Sequence, residues 1–202
     1  MQASAPALPL RPLLWGLLGL ALMVVGFLLA QPLSLEGRFA LKMIPHHAQA
    51  VELARILERR AADENLRYFA QDVAQTQQAQ ITQMRGWLPL WRQLTIGFER
   101  PSAQVAAAMG MASPQEIAEL LALQGHAAET KFLQLMIRHH QGALPMIEQG
   151  LAEVKPEGLP RRLIEAMGQS QAGEIQTMER WLAERGGVKL PFDPSLMPNH
   201  GH

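Results

Sequence analysis

The word Met-Ile-x-His-His occurs twice in this chain, at Met43–His47 and at Met136–His140, and its surroundings repeat with it. Glu36 falls on Glu129, Phe39 on Phe132, Met43 on Met136 and Ala50 on Ala143. With one residue inserted, Gln77 falls on Gln171, Ile81 on Ile175, Met84 on Met178 and Trp87 on Trp181. A repeat of this length limits the fold, because each copy is one supersecondary unit that needs the other to bury its apolar face. Each copy reads as two helices. The first carries the His-His word, and the second starts near Asp63 or Pro160, residues suited to helix starts. In the first copy Leu66, Phe69, Val73, Gln77, Gln80, Met84, Trp87 and Trp91 recur at spacings of three and four, which places them on one helical face. Gly186-Gly187 marks the last helix stop. Between the copies, Ser113-Pro-Gln-Glu116 is a capping box with proline at the first helical position. The expectation is an all-α four-helix bundle over 34–187. It consists of two repeated helical hairpins (34–96 and 126–187), joined by a crossover helix over 113–125 and related by a pseudo-twofold axis. Residues 188–202 hold three prolines and no periodicity, and read as a flexible Met/His tail.

Residues 1–33 read as a signal anchor or transmembrane helix. Leu13–Ala30 carry no charge, and such a run makes a helix of roughly 27 Å, near the thickness of a bilayer core. This helix is expected to anchor the chain in a membrane with the helical domain outside the cytoplasm. The alternative is secretion after signal cleavage, with Ala30 preceding the cut. The chain has no cysteine, which excludes disulfides and thiolate metal sites and suits an oxidising compartment. A formal net charge of zero argues against nucleic acid as a partner.

Residues three and four apart share a helical face, so Met43 lies one turn from His46 and His47, and Met136 one turn from His139 and His140. Adjacent histidines diverge by about 100°, so one of each pair turns inward while the other faces a neighbouring helix or the rim. Di-iron bundles use Glu-x-x-His, and this sequence has none. It has Met-x-x-His three times: Met43/His46, Met136/His139 and Met197/His200. Thioether plus imidazole is a copper-type ligand set, above all for Cu(I), whereas zinc gains little from methionine. Three readings stay open: copper, another metal, or buried histidines that bond only protein groups. Gln77 and Gln171 fit a supporting shell or a helix–helix hydrogen bond better than ligation. Glu36 and Glu129 lie about 16 Å along the helix from the second histidine of their own pair, and read mainly as first-turn acids complementing the helix dipole. His126 reads as a loop histidine with an accessory role at most. Met197, His200 and His202 form a further soft-ligand cluster on the tail.

The stretches MIPHHAQAVELA, QQAQITQMRGWL, MGMASPQEIAELLALQGH, KFLQLMIRHHQGALPMIE and SQAGEIQTMERWL resemble domain-of-unknown-function family 305, the CopM-like ferritin-like proteins. The resemblance covers about residues 34–187. It implies an exported, ferritin-like four-helix bundle, with copper binding attributed to some members. Carried over residue by residue, its pattern falls on Met43, His46, His47, Met136, His139 and His140, with Gln77, Met84, Gln171 and Met178 in the partner helices. The chain departs from the pattern at Glu36 and Glu129, where aspartate is common, and at Ala128, where an aromatic is often seen.

Together these features describe an exported, membrane-anchored copper-binding protein that buffers copper, confers resistance to it or hands it over. The competing class is a structural or interaction bundle whose His-His pairs bind no metal. No activated nucleophile or acid–base pair stands out, so the expectation is a binding protein and not an enzyme.

Overall fold

The computed structural model describes residues 10–30, 32–95 and 101–196, with the side chains of residues 10, 11, 13, 29, 90, 91 and 95 left aside. Its helices are α1 (Leu10–Leu29), α2 (Leu35–Glu58), α3 (Glu64–Arg85), α4 (Leu90–Thr95), α5 (Ala103–Ala108), α6 (Pro114–Ala122), α7 (Gly125–Glu153) and α8 (Leu159–Glu184). Among the described residues there is no strand. The chain is all-α, and its body is a helical bundle. α2 packs on α3, α7 packs on α8, and the two hairpins meet along α2 and α7.

Local chemistry sets the helix ends. Ser34 caps α2 by accepting from Gly37 N at 3.0 Å. Asp63 caps α3 through Asn65 N and Leu66 N. Ser113 and Glu116 close the capping box of α6. Such caps satisfy backbone donors that have no partner within the helix. Pro45 and Pro145 lie inside α2 and α7 without ending either helix. Past α8 the chain turns through Gly186 at φ +66°, a conformation that glycine adopts without steric cost.

Phe132, Leu53, Leu57, Leu66, Leu133, Leu135, Ile137 and Ile164 fill the centre and are almost fully buried. Phe39 packs against Trp87, and Phe69 meets Trp181 edge-on at 5.2 Å. Between the hairpins, α4 and α5 add two short helices that the repeat does not announce. Met109–Ala112, between α5 and α6, is buried against the bundle.

The N-terminus departs from expectation. A helix forms there, but among the described residues no helix is long and apolar enough to cross a membrane. The described side chains of α1 are exposed, Trp15 and Met23 among them. Of the tail, residues 188–196 are described. Gln134 donates to the Val188 carbonyl, Lys189 pairs with Glu179, and Leu190 packs against the core. Met197, His200 and His202 lie outside the described residues.

Candidate metal centre

α2 and α7 each bring their histidine pair to the seam between the hairpins. His46, His47, His139 and His140 are all fully buried, so neither member of either pair sits at the rim. The repeats converge on one cluster. The His46 and His139 rings lie 3.7 Å apart between centroids, tilted by 32°. His47 lies 6.4 Å from His46, and His140 lies 6.0 Å from His139.

Each ring has one nitrogen engaged. His46 Nε2 bonds the Met109 carbonyl at 3.0 Å, and His139 Nε2 bonds the His46 carbonyl at 3.0 Å. His47 Nε2 meets Gln80 Oε1 at 2.9 Å, and His140 Nε2 meets Glu174 Oε2 at 2.7 Å. A carbonyl, an amide oxygen and a carboxylate only accept, so in all four rings Nε2 carries the hydrogen and donates. The neutral ring then presents a lone pair at Nδ1. All four Nδ1 atoms are buried and have no hydrogen-bond partner. Metal-binding histidines show this division of labour: one nitrogen fixed by a protein acceptor, the other left as a ligand. Burial keeps the His46, His47 and His139 rings neutral. It lowers His46 to about 4, against a partial upward pull from the Met109 carbonyl. Burial and neighbouring His46 bring His47 down to about 3 despite Gln80. Burial and the surrounding histidines put His139 well below 6.5.

The methionines of the Met-x-x-His words, Met43 and Met136, are fully buried in the same core, as are Met84 and Met178 from the partner helices. Gln77 and Gln171 are also buried, and neither end of either amide has a hydrogen-bond partner. Among the described residues, no three His, Asp or Glu side chains are grouped so as to hold a metal ion. The donor set nonetheless fits a soft ion. It has four buried imidazoles, buried thioethers, and no carboxylate other than one that supports a ring.

The acids and His126 go elsewhere. Glu129 is fully buried and accepts from Ala62 N and Asp63 N, both at 2.8 Å. It also receives His126 Nδ1 at 2.8 Å and Arg185 Nε at 3.2 Å. Burial would raise its carboxyl, but these donors outweigh burial and hold it below the usual range. Glu129 therefore ties the start of α7 to the α2–α3 loop and the end of α8. His126 serves that tie, and Glu36 on α2 is partly exposed.

Three features of the cluster escape the sequence reading. Gln80 and Glu174 hold His47 and His140. They stand at matching positions of the repeat, one turn after Gln77 and Gln171, and that spacing is the signal that could have found them. Met109 acts on His46 through its carbonyl, which leaves no trace in residue type. Its segment is strapped to both hairpins. Gln49 bonds Ala112 N and Ala112 O, and Arg138 reaches the Gly110 and Met111 carbonyls while pairing with Glu116. A groove of about 300 Å³ bordering this strap includes Met111, Glu116, Arg138 and Phe192 in its lining.

The domain of unknown function DUF305 matches residues 36–182, which span the whole bundle. The chain belongs to the DUF305 family. Among solved structures it is similar to a DUF305 protein from Streptomyces coelicolor, at 38% identity over 78% of this chain and 98% of that one, with a TM-score of 0.65. It is also similar to a DUF305 fragment from Deinococcus radiodurans, at 39% identity over 76% and 99%, with a TM-score of 0.66. CopM in its Cu(II)-bound form has the same fold at 25% identity over 74% and 96%, with a TM-score of 0.56. No curated protein matches the chain.

Proposed function

We propose that this ferritin-like DUF305 bundle binds copper outside the cytoplasm, buffering it or handing it over, without catalysing a reaction. The observation that carries the reading is the set of four buried Nδ1 lone pairs, each on a ring whose Nε2–H is already committed to a protein acceptor. A purely structural cluster would have no reason to leave all four unpartnered, because an unsatisfied buried polar atom costs about 1–3 kcal/mol. His46, His47, His139 and His140 would supply imidazole, and Met43 and Met136 thioether, with Met84 and Met178 in reserve. Two observations on relatives support the reading. CopM is solved with Cu(I), Cu(II) and Ag bound. The Streptomyces coelicolor relative is named as a candidate secreted protein. In this reading α1 belongs to an export signal that is cleaved on secretion.

The solved relatives consist almost wholly of this domain, so residues 34–202 can be tested alone. After exposure to equal Cu, Zn and Fe, metal analysis should find copper retained over the others. Stoichiometric zinc or iron without copper would refute the proposal. No metal at all would favour a structural bundle.

A further inference from the structure

The hairpins match at most positions around the cluster but differ at one that touches it. Position 80 in α3 and position 174 in α8 are counterparts in the repeat. Gln80 gives His47 a neutral amide oxygen at 2.9 Å, and Glu174 gives His140 a carboxylate oxygen at 2.7 Å. Ser170 Oγ donates to the other carboxylate oxygen at 2.6 Å, which fixes the group facing the ring. His140 is fully buried and the Glu174 side chain is 17% exposed, so water screens the pair weakly. An imidazole that donates Nε2–H to a carboxylate is a more basic ligand at Nδ1, and charge-assisted bonds of this kind are about twice as strong as neutral ones. A nearby negative charge also favours a dication over a monocation.

We infer that Glu174 makes His140 the anchoring imidazole of the cluster and shifts bound copper toward Cu(II), while Gln80 leaves His47 the weaker donor. The inference rests on the copper reading above. Glu174 acts through His140 and is a positioning residue, with the amide at Gln80 as its built-in neutral comparison.

The test uses the full chain and three near-isosteric changes: Glu174→Gln, Gln80→Glu, and the two combined as a swap. Cu(II) and Ag(I) affinities are measured by chelator competition, and the potential of the bound copper couple by redox titration. Glu174→Gln should weaken Cu(II) about 10- to 100-fold, the usual cost of losing a ligand's supporting partner. Ag(I), a monovalent stand-in for Cu(I), should change little. A tenfold loss confined to Cu(II) raises the potential by about 59 mV. Gln80→Glu should lower the potential. The swap should return it toward the wild-type value and exchange the anchors, so that His47→Ala, and no longer His140→Ala, becomes the more damaging loss for Cu(II). If Glu174→Gln fails to fold, Gln80→Glu alone decides, because it adds the charge beside the other ring. Copper retained with unchanged affinity and potential in these variants overturns this inference alone. A wild-type chain that takes up no copper overturns the copper reading and this inference with it.

Discussion

Gly142 is a buried glycine in the middle of α7, where helix propensity alone favours alanine by about 1 kcal/mol. The structure reverses that sign. A methyl group on Gly142 would overlap the Met109 carbonyl and come within 2.9 Å of Gly110 N, both backbone atoms that cannot swing aside. Gly142→Ala must therefore push the Met109–Ala112 strap away from α7. Overpacking of this kind costs about 1–3 kcal/mol. His46 Nε2 loses its acceptor at Met109, which adds about 1–3 kcal/mol for a buried unsatisfied donor. Less the propensity gain, the net loss is about 1–5 kcal/mol, or roughly 2–20 °C in Tm for a domain of this size. Thermal unfolding followed by circular dichroism measures it. Gly173→Ala in α8 is the control: no atom lies within 4 Å of the added carbon, so Tm should hold or rise by a few degrees. A Gly142→Ala protein as stable as the wild type would show that the strap does not sit where the argument needs it.

The stacked His46 and His139 make one cluster from two repeats, so His46→Ala/His47→Ala and His139→Ala/His140→Ala should each remove most of the bound copper. Metal analysis that finds half retained in each would point to two independent sites. The metal-free domain should lose stability on mild acidification. His46 at about 4 and His47 at about 3 lie below their unfolded value of 6.5. Their contribution is therefore complete above pH 6.5 and falls as pH drops toward 4, by about 1.4 kcal/mol per pH unit each, or about 2 kcal/mol each at pH 5. Urea titrations at pH 7.5 and 5 that superimpose would contradict this. Glu129→Ala should cost about 1–3 kcal/mol, because it leaves the Ala62 and Asp63 amides without their acceptor, while Arg185 keeps its ion pair with Asp63. Denaturant unfolding showing a loss under about 1 kcal/mol would refute that account.

The repeat made much of this architecture legible. Rare residues aligned in two copies imply two like hairpins, and like hairpins bury like faces, so Gln77 and Gln171, Met84 and Met178 end up equally buried. What stayed hidden depended on neighbours far apart in sequence. The 3.6-residue period places His47 and His140 on a helix but cannot say that α3 and α8 will bury them, so a rim position remained open. Glu129 looked like a dipole acid because its partners, Ala62, Asp63 and Arg185, are brought in by loops and another helix. Met109 contributes a carbonyl, and a carbonyl has no letter. α1 is the opposite case. Its composition is plain in the sequence, yet among the described residues no helix reaches the length and hydropathy of a membrane span.

The bond from His139 Nε2 to the His46 carbonyl crosses from one hairpin to the other. An ion gripped by both His46 and His139 would cross at the same place, as a staple between the two halves of the bundle. Its affinity would then be inseparable from the work of parting α2 from α7, because whatever binds only the closed form also stabilises it. Loading should slow backbone hydrogen exchange along the whole α2–α7 seam, well beyond the turns that bear the ligands. Release would be gated by how often the halves breathe apart, and a recipient that wedges that seam open would draw out the ion without ever competing for it directly.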